Sequence, residues 1–224
     1  MVSVTYLGHS SFKISGSKTI FVDPYLENPN SPIDVEDVEE ADVVLVTHGH
    51  HDHVGDSVEI CEKTGATLVS IFDLTELLSE RSEEDIDTVG INIGGTTYVE
   101  DVEITMVEAQ HSSDVEPGVA GGHPTGFVFE IDGERIYHAG DTGLFGDMEI
   151  IGDFYDPKIA MLPIGDHFTM GVEEANYALD LIKPEYVIPM HYNTFEAVEA
   201  DPDELSDAAA EPIIIEPGES WEIE

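Results

Sequence analysis

Cations are what this chain most lacks. Its 224 residues include 7 lysines and arginines against 49 aspartates and glutamates, a formal charge of −42. A nucleic-acid-binding protein neutralises phosphates with clustered basic side chains, and no such cluster exists here, so DNA and RNA are excluded as bound partners. The same deficit excludes docking on an anionic membrane surface. No apolar run approaches the length of a membrane span. The N-terminal Met1-Val2-Ser3-Val4-Thr5-Tyr6 lacks the basic and apolar regions of a secretory signal. The single cysteine, Cys61, has no internal disulfide partner, which fits a reducing, cytoplasmic location. Cys61 falls in a stretch with helical character and reads as a small core residue rather than a nucleophile.

What is present describes a globular protein. Hydrophobic residues make up 41% of the chain, enough for one substantial core, and a single domain is expected over residues 1–224. The acidic residues are spread throughout, as in Ile33-Asp34-Val35-Glu36-Asp37-Val38-Glu39-Glu40. Such a charge strains a compact state in dilute salt. At molar salt the Debye length falls to about 3 Å and the repulsion largely disappears. A halophilic host with high internal salt is therefore expected.

Short β-rich runs at residues 2–6, 11–15 and 19–22, punctuated by Gly8 and Gly16, predict an antiparallel meander. Residues 27–40 form an acidic loop that ends in a helical turn. Val43-Val44-Leu45-Val46 reads as a buried strand. Helices are predicted from Gly55 to Lys63 (closed by Gly65), over 73–80, over 172–182 and near 202–210. Strands are predicted at Thr67–Val69, Thr97–Val99, Glu103–Val107, Phe127–Ile131, Arg135–His138, Ala160–Ile164 and Tyr186–Met190, and Ile213-Ile214-Ile215 is β-prone. Asp132-Gly133 is a hairpin turn. Two β-rich halves with helices outside suggest a four-layer αββα sandwich.

The stretch Thr47-His48-Gly49-His50-His51-Asp52-His53 packs four histidines and an aspartate into seven residues directly after the central strand. Imidazoles and carboxylates ligate divalent transition metals, and an internal loop of this density reads as a metal site. The pattern recurs: further β runs end near His111, Asp141 and His191. If these strand ends converge, His48, His50, Asp52, His53, His111, Asp141 and His191 supply five histidines and two aspartates. That exceeds the needs of one tetrahedral ion and suits two.

The order and spacing His48-x-His50-x-Asp52-His53, His111, Asp141, His191 resembles the metallo-β-lactamase superfamily of hydrolases over almost the full length. The resemblance implies the αββα fold. It also implies one metal on His48, His50 and His111, a second on Asp52, His53 and His191, and Asp141 bridging both. His50 in place of a glutamate separates the chain from the diiron flavoprotein branch. The spacing from Asp141 to His191 has no room for a β-CASP domain, and no glyoxalase II-like helical domain follows. Gly8-His9-Ser10-Ser11-Phe12, Asp23-Pro24-Tyr25, Gly140-Asp141-Thr142, Pro163-Ile164-Gly165-Asp166 and Pro189-Met190-His191-Tyr192-Asn193 are similar to the small hydrolases related to ascorbate-phosphate lactonases.

A dinuclear hydrolase follows as the expectation, with a metal-bridging hydroxide attacking a small ester, lactone or phosphodiester. Asp52 would orient the water and carry its proton. His9 and His167 are candidates to face the substrate, and Asp23 to support a ligand histidine. Zinc suits the donor set; manganese, nickel and iron also fit. A small-molecule substrate is the expected partner, and a homo-oligomer is compatible with the sequence. His51 falls between ligands and is expected to face solvent or back up a ligand. His123 reads as structural; so does His138, unless it supports the Asp141 loop. The alternatives are a phosphodiesterase acting on a nucleotide-like substrate and a non-catalytic metal-binding or sensor protein.

Overall fold

The computed structural model describes residues 1–206 and 208–223. The chain begins with the predicted meander: β1 (Ser3–Tyr6), β2 (Phe12–Ser15) and β3 (Thr19–Val22) pair antiparallel in turn. β1 and β2 alternate buried and half-buried residues, while β3 is buried throughout. β4 (Val43–Leu45), also wholly buried, lies parallel to β3. The continuous apolar runs of β3 and β4 are those expected of parallel strands covered on both faces. One helical turn, α1 (His51–Val54), precedes α2 (Ser57–Thr64). Gly65 ends α2 in the left-handed conformation, φ 78°, and its N–H caps the Cys61 carbonyl. β5 (Thr67–Ile71), α3 (Phe72–Arg81) and β6 (Thr88–Ile91) complete this half, and β3 to β6 are mutually parallel.

The second half runs through β7 (Thr96–Val99), β8 (Val102–Glu108), a small outlying hairpin of β9 (Asp114–Glu116) and β10 (Val119–Ala120), then β11 (Thr125–Ile131) and β12 (Glu134–His138). Asp132 and Gly133 join the last two with φ 52° and 86°, the positive pair of a type I′ hairpin turn. There follow α4 (Met148–Ile150), β13 (Ile159–Pro163), α5 (Val172–Ile182), β14 (Tyr186–Met190), β15 (Glu211–Pro212) and β16 (Ser220–Glu222). On α5, Ala175, Ala178, Leu179 and Ile182 form the buried stripe, and the Glu174 carboxylate caps the Gly171 N–H at 3.2 Å.

Two seven-stranded sheets result, in the orders β16-β1-β2-β3-β4-β5-β6 and β15-β14-β13-β12-β11-β8-β7. They face each other across the core: the Phe12 ring on β2 meets the His138 ring on β12 edge-on at 5.7 Å. α2 and α3 cover the first sheet and α5 the second. This is the αββα sandwich. Several local features differ from the sequence expectation. The β9–β10 hairpin was not expected, and the β-prone Ile213-Ile214-Ile215 lies just beyond β15 and outside any strand. β6 and β16 are added strands, both short and at sheet edges. The helix expected near 202–210 is only a 3-10 turn at Pro202–Glu204, because the Ser206 N–H is taken by the Asn176 side chain and Glu211 already pairs with Tyr186. Position 207, within that expected helix, lies outside the described residues.

Strand direction decides where the chemistry collects. β1, β3 and β4 point the same way in the first sheet, and β8, β12 and β14 the same way in the second. Their C-terminal ends lead into His9, Asp23, His48, His111, Asp141 and His191, respectively. Six loops therefore deliver their polar residues to one rim of the sandwich.

Candidate metal centre

Asp23 is the buried hub of the histidine loop. Its Oδ1 accepts from the Thr47 N–H at 2.8 Å, and its Oδ2 accepts from the Thr47 hydroxyl and from His53 Nδ1, both at 2.7 Å. The Thr47 proton being committed to Asp23, His48 Nδ1 must donate to Thr47 Oγ1, 3.0 Å away. One carboxylate thus fixes the neutral tautomers of two rings, in which His53 and His48 both present Nε2 as a lone pair. Gly49 lets the loop close, since a Cβ there would stand 2.7 Å from the Ser113 carbonyl. The Gly49 N–H instead donates to Ser113 Oγ.

Two groups of donors form on this frame. His48, His50, His111 and Asp141 make one; His9, Asp52, His53 and His191 make the other; within each, ligand atoms lie within 4.8 Å of one another. Asp141 stands between them. Its Oδ1 is 3.2 Å from His53 Nε2, and its Oδ2 is 3.1 Å from His191 Nε2 and 3.4 Å from His111 Nε2. His48 Nε2 and His50 Nδ1 are 3.0 Å apart. Ligands about 2.1 Å from one ion at a tetrahedral angle lie about 3.4 Å apart, so these spacings suit a shared cation. The fit has independent support: His53 Nε2 and Asp141 Oδ1 are buried without a hydrogen-bond partner among the described residues. Buried polar atoms seldom go unsatisfied, and a metal ion would satisfy both.

Electrostatics divides the centre. Burial lowers the basicity of His48, His50 and His111, which favours the neutral imidazoles that metals require. Burial opposes charge on His53 too, but Asp141 and Asp23 outweigh it and raise this imidazole well above its ordinary range. Burial would raise Asp52, yet the hydrogen bond from His9 and the nearby His53 hold it low. Asp141, likewise penalised by burial, is held well below the carboxylate range by His191 and His53.

His9 closes the other side. It sits in the left-handed region at φ 56°, and its carbonyl accepts from the His191 N–H and the Tyr6 hydroxyl. Nε2 is 3.1 Å from Asp52 Oδ2, and Nδ1 is 2.8 Å from Thr194 Oγ1. Its ring lies 4.2 Å from that of His191 and 5.9 Å from that of Phe195. His138, fully buried, donates from Nε2 to the Ser10 carbonyl and accepts the Gly140 N–H at Nδ1. It joins the His9 loop to the Asp141 loop without entering either donor group.

With this geometry in place, the relatives are informative. The beta-lactamase superfamily domain matches residues 18–192. The chain belongs to the metallo-β-lactamase superfamily. It is 44% identical to a UPF0173 metal-dependent hydrolase of Archaeoglobus fulgidus, covering 99% of each chain. It is 47% identical to another from Methanopyrus kandleri, covering 98% of this chain and 99% of that one. The solved structure of a metallo hydrolase from Ignicoccus hospitalis matches with a TM-score of 0.90 and 40% identity, covering 100% and 99% of the two chains. This superfamily member is a metal-dependent hydrolase, which sets aside the non-catalytic alternative.

The remaining histidines of the hydrolase stay outside both groups. His51 is exposed, 3.9 Å from Glu27, with its ring against Tyr25. His123 is exposed. His167 is exposed, its ring edge-on to Phe168. Sequence reasoning missed Thr47, Ser113 and Thr194 as supports. Ser11 was also hidden: its hydroxyl donates to the Asp23 carbonyl at 2.5 Å and accepts the Tyr25 N–H, tying together the two N-terminal motifs. The hydrolase has no helix among its described residues long and apolar enough to cross a membrane.

Proposed function

We propose that residues 1–224 form one hydrolase domain that cleaves a small ester or lactone with two divalent metal ions. His48, His50 and His111 would hold one; Asp52, His53 and His191 the other; Asp141 would contact both. The observation that carries this reading is Asp141, buried between two donor groups with an oxygen left without a partner. Bound metals would supply Lewis acidity and make water nucleophilic near neutral pH. The protein's own groups do the rest. Asp23 presents the Nε2 lone pairs of His53 and, through Thr47, of His48. His9 keeps Asp52 ionised, so that the Asp52 carboxylate accepts a proton from the attacking water. His9 itself stands beside Asp52 to donate to the leaving group. His167, outside both groups, would at most contact the substrate. Zinc is the first choice of metal, with manganese, nickel or iron also suited to these donors.

A phosphodiester substrate ranks second, because the seven basic residues are engaged elsewhere. Lys13 lies over the Phe21 ring, and Lys18 pairs with Asp42 and Glu100. Lys63 caps the Val35 and Glu36 carbonyls, Arg81 pairs with Glu116, and Arg135 with Glu130 and the Tyr155 carbonyl. Lys158 pairs with Glu134, and Lys183 with Asp153. A cytoplasmic setting with high salt accords with the charge and the lone cysteine. The test is Asp52→Ala, assayed in high salt with added metal over esters, lactones, thioesters and phosphodiesters. Turnover should be lost while the circular dichroism spectrum is kept; an unchanged rate defeats the assignment.

A further inference from the structure

We infer that the substrate's leaving group sits in the cleft beside Phe195 and that this cleft selects by charge, accepting cationic or uncharged groups and excluding anions. The inference rests on the ester-hydrolase reading and adds a binding site and a substrate class to it. The cleft measures about 700 Å³ and is lined by Asn193, Phe195, Glu196, Glu199, Asp201 and Pro202. That size suits a small ligand.

The cleft is physically part of the centre's surroundings. Phe195 lines it, and the Phe195 ring lies 5.9 Å from that of His9. The preceding residue, Thr194, is hydrogen-bonded to His9 Nδ1. The segment behind the lining is braced. The Asn193 side chain accepts the Ala200 N–H and donates to the Ala200 carbonyl, while the Asn193 N–H reaches the Val198 carbonyl. Val198 is buried against Gly165, where a Cβ would stand 2.2 Å from the His191 carbonyl. The wall of this cleft is therefore fixed to the loops that carry His9 and His191, with Phe195 in contact with both the cleft and the His9 ring.

Charge gives the cleft its selectivity. Carboxylates are abundant all over this protein, so acidity alone would single out nothing. Two further facts do. Phe195 is an aromatic side chain left 44% exposed in the cleft, and an aromatic face attracts cations and apolar groups but not anions. Among the described residues no cation lines the cleft, and all seven basic residues make contacts elsewhere. An anionic leaving group would meet Glu196, Glu199 and Asp201 with nothing to offset them.

The experiment uses three near-isosteric acetates: the trimethylammonioethyl ester, the 3,3-dimethylbutyl ester and 3-acetoxypropane-1-sulfonate. They are assayed on the metal-loaded protein at the lowest salt that preserves the fold. In parallel, saturation-transfer NMR measures binding of the three parent alcohols. The expected order is cation at or above neutral, with the sulfonate at least tenfold lower in kcat/KM and weakest in binding. The combined variant Glu196→Gln, Glu199→Gln, Asp201→Asn should bring the cation-to-anion ratio toward unity. Asp201→Asn keeps the side-chain oxygen that caps the Asp203 N–H. The control pair Glu76→Gln, Glu80→Gln, exposed on α3, should keep the wild-type ratio. A sulfonate processed as fast as the ammonium ester, or a ratio unmoved by the triple change, overturns the inference. If none of the acetates is hydrolysed, the ester reading fails and the NMR arm decides the cleft alone. Choline saturation lost in the triple variant then supports the site, and equal saturation of choline and the sulfonate overturns it.

Discussion

Asp23→Asn tests whether the centre depends on one buried carboxylate. Asp23 accepts three hydrogen bonds on two oxygens, and an amide has one oxygen to offer. If that oxygen faces His53 and the Thr47 hydroxyl, the amide NH2 is pressed against the Thr47 N–H, leaving buried donors unsatisfied at a cost of about 1–3 kcal/mol. If it faces the Thr47 N–H instead, the NH2 meets His53 Nδ1. The His53 proton must then move to Nε2, the atom that faces Asp141 at 3.2 Å. The first orientation destabilises the loop that carries the ligands, and the second misdirects His53, which is needed as a neutral ligand. Loss of such a supporting partner lowers metal affinity by roughly 10–100-fold, which is about 1.4–2.7 kcal/mol.

The assay is competition for zinc against a chelator of known affinity, with far-UV circular dichroism and a thermal melt to establish that the variant folds. Backbone strain is not a confounder, because Asp23 has φ 45° and asparagine tolerates that region as well. Thr47→Val separates the two arms of the network. It removes the hydroxyl that orients His48 but leaves the direct bond from His53 to Asp23, so its effect should be the smaller. A folded Asp23→Asn protein that binds zinc within twofold of wild type would refute the reasoning.

Three other outcomes follow from the same structure. The melting temperature should rise as KCl goes from 0.1 to 2 M, because a charge of −42 is screened as the Debye length shrinks from about 10 Å to under 3 Å; a flat or falling series speaks against the halophilic reading. Cys61, buried in α2 with its thiol pushed up to about 12 by burial and then Glu62, should resist iodoacetamide at pH 8 in the native state and react after denaturation. Because its folded value lies above its unfolded value of about 9, the stabilisation is complete below pH 9 and is lost as pH climbs toward 12, so Cys61→Ala should flatten the alkaline end of the stability curve. Metal removal by chelation should lower the melting temperature, since ions present at 100 times their dissociation constant contribute about 2.7 kcal/mol; equal melts with and without chelator would show that the donor groups hold no stabilising ion.

Much of the centre could be read from the sequence because its ligands follow recognisable local patterns. An apolar run such as Val43–Val46 marks a buried strand, and the polar residues that follow it fall on the rim. The same logic located His111, Asp141 and His191. The supporting groups carry no such local mark. Asp23 followed by proline looks like a turn, and its bonds to Thr47 and His53 span 24 and 30 residues. His138 reaches Ser10 across 128 residues, and His9 reaches Thr194 across 185. β6 was missed because its Thr-Val-Gly-Ile sequence is half-exposed with a glycine at position 90, which weakens any strand signal. A helix was expected near 202–210, but side-chain and strand pairings on either side override it.

The shortage of cations, first met as a surface property, also governs the interior. Asp23, Asp52 and Asp141 lie within one histidine cluster, and no lysine or arginine makes a described contact with any of them. A lysine there would compete with a metal ion for the carboxylates and remain after the ion left. Without one, only imidazole protons and bound metals can offset the three negative charges, and burial already disfavours protons on His48, His50 and His111. His53 is the exception, since Asp141 and Asp23 raise its basicity, and a metal ion at Nε2 would take the place of that proton. The centre is therefore short of positive charge in a way that a divalent ion corrects directly. The same reasoning explains why His51, one position from two candidate ligands, stays in solvent beside Glu27: the donor groups are set by which loops converge on Asp141 and not by how many histidines the loop contains.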